Sequence, residues 1–301
     1  MEIIDYDVDS NGLLVHNSAN AIINVLGSAG LGYNAPQIVN INGVDGFLKD
    51  SSNSMPSFDK YEYLISKLGK YLGIKTANEY LVRDNDKTYL FSASVAKKDH
   101  KLIMASSLKD ELINAGIPMD VLLGLKEQIN SFNNDLESNG MRVSPEQMEF
   151  AINTFITKIQ LLKPENEEEI IRDYIKMCFM DTLIGNKDRN TNNYGLVKNS
   201  NGSYSFAPLF DSSTLFMPNV SDELCNINGY LFERKSLLKY LLNTYPQYLD
   251  SIFESNIENA GEKMTTVSKE ILNEKDYEVF KSVVLDKLNN NFFDIIKSQS
   301  F

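Results

Sequence analysis

The 301-residue chain is 43% apolar with 16 Phe and 15 Tyr, enough for a packed core and too many for wholesale disorder. Its net charge of −12 argues against binding nucleic acid by itself, which takes clustered Lys and Arg. His16 and His100 form no zinc spacing or hydrolase triad, and Cys178 and Cys225 form no Cys-x-x-Cys pair or disulfide framework.

In chain order, the first 95 residues read as strands, turns and one helix. Gln37–Lys49 holds two β-rich runs split by Asn-Gly and Asp-Gly, which predicts a hairpin. Ser57 is positioned to cap a helix through about Leu72, with Tyr61, Leu64, Ile65, Leu68 and Leu72 at helical spacing and Gly73 closing it. Glu79–Val82 and Thr88–Ser92 return to strand character. From about residue 105 the pattern is helical. Ser144-Pro-Glu-Gln147 offers a cap, a proline at the first helical position and a capping-box glutamine. The apolar stripe Met148, Ile152, Phe155, Ile159 and Leu162 follows. Another helix runs from Asn166 to Gly185, with Ile171, Tyr174, Ile175, Cys178 and Thr182 on one side. A hairpin is expected over Tyr194–Val197 and Tyr204–Ala207, and helices resume near residue 233. The expected fold class is therefore α+β, a mostly β first lobe with one main helix over residues 1–95 and a larger helical lobe over 96–301.

The chemistry concentrates in Leu183-Ile-Gly-Asn-Lys-Asp-Arg-Asn-Thr-Asn-Asn-Tyr-Gly-Leu196, which follows a buried helix and precedes a hairpin ending in Ala-Pro-Leu-Phe-Asp211. Asp188 and Asn193 have the Asp-x-x-x-x-Asn spacing of a phosphoryl-transfer loop. Alone, that spacing equally suits a polar turn; an aspartate after an apolar strand 18 residues beyond Asn193 strengthens it. Asp188 suits the base, and Asn193 and Asp211 offer the oxygen ligands that Mg²⁺ prefers.

This stretch resembles the C-terminal kinase domain of HipA-like serine/threonine kinases, of the shorter stand-alone kind, and more distantly the loop of phosphoinositide kinases. The resemblance spans roughly residues 35–245 and implies a bilobal protein-kinase-like fold, ATP and Mg²⁺ as cofactors, and phosphorylation of a protein hydroxyl. Asp188 would be catalytic, with Asn193 and Asp211 on metal. Asn190 stands where these families usually have His, and Ser212 replaces the glycine of Asp-Phe-Gly.

On the same resemblance Lys49, at a strand end, would grip the phosphates and Glu62 would hold its ammonium, although a solvated lysine and a surface glutamate read equally simply. Gly27-Ser-Ala-Gly30-Leu-Gly32 would cover the phosphates or form a flexible turn, with Ser28 a candidate autophosphorylation site. Phe91, Ser92 and Ala93 fall where backbone would meet adenine. The implied partners are a protein carrying a Ser or Thr acceptor and a small antitoxin-like protein. A lipid or small-molecule kinase and a silent nucleotide- or partner-binding module are the alternatives. No apolar run approaches the roughly 20 residues of a membrane span, and the N-terminus shows no signal-peptide pattern. A bacterial cytoplasmic setting is expected, with secretion as an effector left open.

Overall fold

The computed structural model describes residues 1–28, 36–50, 58–137, 140–212, 221, 223–254 and 257–289. The described elements begin with β1 (Glu2–Val8), β2 (Leu14–Asn20), β3 (Ile23–Ser28), β4 (Gln37–Ile41) and β5 (Val44–Lys49). Next come α1 (Phe58–Tyr71), β6 (Glu79–Asp84), β7 (Lys87–Ala93) and β8 (Lys101–Met104). The helices α2 (Leu108–Asn114), α3 (Met119–Glu137), α4 (Met148–Leu162) and α5 (Glu167–Ile184) follow. Then come β9 (Gly195–Lys198), β10 (Tyr204–Phe206), β11 (Leu224–Ile227) and β12 (Tyr230–Glu233). The last elements are α6 (Arg234–Thr244), α7 (Pro246–Glu254), α8 (Ile257–Ile271), α9 (Glu274–Phe280), a π-helical turn (Lys281–Leu285) and α10 (Asp286–Asn289).

These elements form two compact units. The first comprises Met1–Val95 together with the described residues of Pro208–Ser213 and Ser251–Phe301. The second comprises Ala96–Ala207 and the described residues of Thr214–Asp250. A single passage from one lobe to the other near residue 95 was expected. Instead the chain returns to the first unit twice, for reasons visible in its hydrogen bonds and helix packing.

The first unit is built on a seven-stranded antiparallel sheet of order β2-β1-β6-β7-β5-β4-β3. Only Ala21 and Ile22 separate the two edge strands, so the sheet must curl to bring its ends together. Backbone bonds fasten that junction: Ala21 N–H donates to Met1 O at 2.9 Å, and Asn42 N–H to Ile22 O at 3.1 Å. Inside the curl lie Val39, Ile41, Leu48, Val82, Phe91 and Ala93, with Ile3, Ala21, Ile23, Tyr80 and Tyr89 packed on them. Gly46 permits the close approach of β5 to β7, because a Cβ there would meet the Phe91 ring and Ser92 O at 2.5 Å.

The strand period of two sends Leu90, Leu81 and Ile4 to the other face, where α1 packs. Both sides of α1 are covered, since α8 lies against it and against β1. Tyr61 stacks on Phe280 with ring centroids 6.0 Å apart. This second covering layer explains why Tyr61, Tyr63, Leu64, Ile65 and Leu68 are all buried and why the C-terminal helices belong to the first unit.

The predicted hairpin over 37–49 is present. Its turn is Asn42-Gly43, with φ of 51° and 89°, whereas Asp45-Gly46 lies inside β5. The helix from 58, the strands around 79 and 88, and the hairpin over 194–207 also form. Ser57, the expected cap, lies outside the described residues. The pattern did not resolve β1, β2 and β3 individually. In β2 and β3 almost every residue is exposed, so neither strand carries an alternating apolar face.

In the second unit, α4 and α5 form the core with α2, α6, β10 and β11 around them. Gln147 and Ser144 make the expected reciprocal capping box, ahead of a 3₁₀ turn. Rather than having one buried side, α5 is buried almost throughout from Ile170 to Ile184. Three strands, β10-β9-β8, make a small sheet, and β11 pairs with β12 in a hairpin.

Candidate phosphoryl-transfer site

The predicted site residues fall in both units. In the first, Lys49 ends β5 and Glu62 sits one turn into α1. Lys49 Nζ donates to Glu62 Oε1 at 2.7 Å and Oε2 at 2.9 Å, and to Asp211 Oδ1 at 3.2 Å. Asp211 is 162 residues from Lys49 in sequence, and the stretch Ala96–Ala207 between them belongs to the second unit. The chain returns because Leu209 pairs with the residues after α1: Ala77 N–H donates to Leu209 O at 2.7 Å, and Leu209 N–H to Lys75 O at 2.9 Å. The short segment Pro208–Ser212 is thereby stitched to the first unit and delivers its aspartate to the lysine.

Burial pulls the Lys49 ammonium pKa down, but the carboxylates of Glu62, Asp211 and Glu79 more than offset this and raise it above the usual lysine range. The ammonium is therefore a fixed positive charge at any physiological pH. Glu62 is only 3% exposed; burial pushes its carboxyl up, with the charge of Lys49 pulling the other way. Asp211 has φ 53°, the left-handed region that aspartate enters at some cost. Its side chain remains 47% exposed beyond the lysine contact.

The second unit supplies the loop. Helix α5 ends at Gly185 (φ 68°), whose backbone N–H donates to Asp181 O. A Cβ at Gly185 would lie 2.9 Å from Arg234 Nη1, so glycine is required both for conformation and for space. Arg234 donates through Nε to Thr182 O at 2.8 Å and through Nη2 to Leu183 O, satisfying the last carbonyls of the helix.

Beyond Gly185, Arg189 turns inward and is fully buried against Asp181. Its Nε donates to Asp181 Oδ2 at 2.7 Å, and its Nη2 to Oδ1 at 3.1 Å. Its third arm, Nη1, donates to Asn193 O at 2.5 Å. One guanidinium therefore ties the helix end to the far end of the loop. Asn186 adds a second tie, donating to Asp181 Oδ1 at 2.8 Å and accepting from Asp188 N–H at 3.1 Å. From outside, Asn226 N–H donates to Asn186 O at 2.7 Å and Gly229 N–H to Arg189 O at 3.3 Å.

Asp188 itself is only partly buried. Asn190 Nδ2 donates to its Oδ1 at 2.9 Å, and Asn193 Nδ2 to its backbone O at 2.7 Å and its Oδ2 at 3.4 Å. The carboxylate is oriented by two amides. Because the nitrogen of Asn193 is engaged, its carbonyl oxygen is the atom left to accept a cation. An amide oxygen is a hard donor of the kind that suits Mg²⁺; within the first unit the half-exposed carboxylate of Asp211 is another.

The residues expected near adenine lie at the end of a strand. Phe91, Ser92 and Ala93 lie inside β7, an interior strand paired with β5 and β6. Those ladders take up the backbone of Phe91 and Ser92, and Ala93 N–H donates to Asn78 O at 2.9 Å. Gly27 and Ser28 end β3 opposite Ile38 and Gln37, and Gly30 lies outside the described residues.

Several positioning residues were not singled out from sequence. Asp181, Asn226 and Arg234 occupy stretches that read as ordinary helix or unpatterned loop. Arg189 lies beside Asp188 in sequence but pairs with Asp181, eight residues upstream.

One unit is a curled sheet bearing a lysine–glutamate pair, and the other is a helical unit bearing an Asp-x-x-x-x-Asn loop. Among solved structures, the chain is similar to the Helicobacter pylori proinflammatory kinase CtkA, with a TM-score of 0.65, 17% identity, and coverage of 92% of this chain and 95% of that one. It is also similar to Shewanella oneidensis HipA, solved with HipB and operator DNA, with a TM-score of 0.54, 12% identity, and coverage of 92% and 68%. The curated serine/threonine-protein kinase CtkA of Helicobacter pylori is 23% identical over 171 residues, which is 54% of this chain and 42% of that relative's length. No family model matches the chain. The resemblance to HipA-like kinases read in the sequence is thus matched at the level of fold.

Proposed function

We propose that the chain is a protein serine/threonine kinase of the HipA-like type that uses ATP and Mg²⁺. The observation that carries this reading is Lys49 held between Glu62 and Asp211 in one unit, while the other unit presents Asp188 flanked by two amides. A chain that no longer transferred phosphate would have no need to keep a buried lysine–glutamate pair, a strained aspartate and an oriented loop carboxylate.

Lys49 would bind the α- and β-phosphates, its ammonium fixed by Glu62. Asn193 and Asp211 would hold the metal, which supplies charge neutralisation at the transferring phosphoryl group. Asp188 would orient the acceptor hydroxyl and take its proton, and the amides of Asn190 and Asn193 keep the carboxylate in one orientation beforehand. Arg189 acts at a distance by fixing both ends of the loop. By likeness to HipA, whose solved complex includes HipB, a small partner protein is the corresponding expectation. The net charge of −12 argues against direct DNA contact.

Incubation with γ-labelled ATP and Mg²⁺ is expected to label the chain or an added protein substrate, and Asp188→Ala to remove that label while nucleotide still binds. Undiminished transfer in that variant would refute the assignment of the base.

A further inference from the structure

Behind the Lys49–Glu62 pair lies a second acid with no role in the chemistry above. Glu79 opens β6 on the sheet face under α1 and is 2% exposed. Its Oε1 accepts from Ser92 Oγ at 3.4 Å, across the β6–β7 register that places Glu79 opposite Ser92. Its Oε2 is buried and receives no hydrogen bond from any described residue. The group within hydrogen-bonding reach is the carboxyl of Glu62. Two buried carboxylates cannot face each other in that way, because both oxygens are acceptors and the charges repel. The contact becomes a bond only if one of the acids carries a proton. Glu62 already accepts Lys49 on both oxygens, so the proton belongs on Glu79.

We infer that Glu79 is a positioning residue that carries a proton at neutral pH and donates it to Glu62. It thereby holds Glu62 against Lys49 and links the ammonium through Glu62 and Glu79 to Ser92 in β7. This rests on the reading of Lys49 as the phosphate-binding lysine. With Glu79 neutral, the buried set of Lys49, Glu62 and Glu79 carries no net charge. With Glu79 ionised the set gains one negative charge, drawing Lys49 back from an anionic ligand. The charged groups facing Glu79 are Glu62 and Lys70 on α1 and Lys49 on β5. Burial first, and then the charge of Glu62, raise its carboxyl well above the ordinary range against the pull of both lysines.

The sign of the effect follows. An acid whose pKa is raised in the folded state binds more protons folded than unfolded. Its contribution is therefore fully present below the ordinary carboxylate range and is lost as pH rises toward its folded value. Thermal unfolding of the intact chain and of Glu79→Gln across pH 5 to 9 tests this without nucleotide (roughly the range over which a strongly raised carboxyl titrates). The amide is neutral at every pH and donates as the protonated acid would. The Tm of Glu79→Gln relative to the unaltered chain is expected to climb steadily with pH, and a difference constant across the range would overturn the proton on Glu79.

A second arm measures binding of ATP with Mg²⁺. Glu79→Ala is expected to weaken it about tenfold, the scale of losing one hydrogen bond to a charged group, and Glu79→Gln to recover it. Equal weakening by both variants would overturn the positioning role. If the unaltered chain binds no nucleotide, the kinase reading fails, and the Tm arm still decides the proton.

Discussion

Asp188 and Arg189 are neighbours in sequence and opposites in physical role. Arg189 is sealed against Asp181 with both side chains fully buried, so removing either partner leaves an uncompensated charge in the core. Arg189→Ala is expected to destabilise the chain by about 3–5 kcal/mol, readable as a lowered midpoint in urea. Asp188→Ala leaves no such charge behind and is expected to cost under about 1 kcal/mol while abolishing transfer. If both variants unfolded at the same midpoint, the division of labour between the two residues would be wrong.

The two cysteines behave as core residues. Burial pushes the Cys178 thiol well up and the Cys225 thiol up to about 12. Neither is expected to react with a thiol reagent in the native chain at pH 8, and both should react in denaturant.

Among elements, those with a strong local signal were legible in the sequence. Helix α4 shows a capping box and an apolar stripe, and α5 ends at a glycine in the left-handed region. The turn at Asn42-Gly43 announces its hairpin. The candidate site was read from the sequence for a related reason: Asp188 and Asn193 have the Asp-x-x-x-x-Asn spacing of a phosphoryl-transfer loop, with Asp211 beyond them.

What escaped was tertiary in origin. The hairpin β11–β12 holds the loop through the backbone of Asn226 and Gly229, and a backbone contact leaves no signature in residue type. Nor does any pattern announce that Arg234 finishes α5 from 50 residues away. Gly185→Ala is expected to push this arginine from the helix end and strain the left-handed turn together. It should lower stability by about 1–3 kcal/mol and reduce kcat more than KM for ATP, as steady-state kinetics would show. A change confined to KM would mean that the helix end does not position the loop.

At the scale of the whole molecule, the order of residues along the chain and the grouping of residues in space disagree. Composition and charge set the broad class, and the sequence divided the chain once near residue 95. The C-terminal helices instead complete the first unit: α8 packs on α1 and β1, and Tyr61 Oη donates to Asp276 O at 3.2 Å. A chain truncated after Asp250 would leave the outer face of α1 bare. Such a chain is expected to lose protease resistance within residues 1–95 while the second unit keeps its own, as limited proteolysis with mass spectrometry would reveal. Uniform resistance in both would show that the last helices are dispensable.

The same grouping bears on how the protein emerges during translation. Residues 96–207 and 214–250 leave the ribosome before α8 exists, so the unit encoded second can finish folding first. The curled sheet, which precedes that unit in the sequence, must wait with the outer face of α1 uncovered until α8 has been made. Through that interval Tyr61 lacks its stacking partner Phe280, so the packing of α1 is among the last features of the first unit to be set in place.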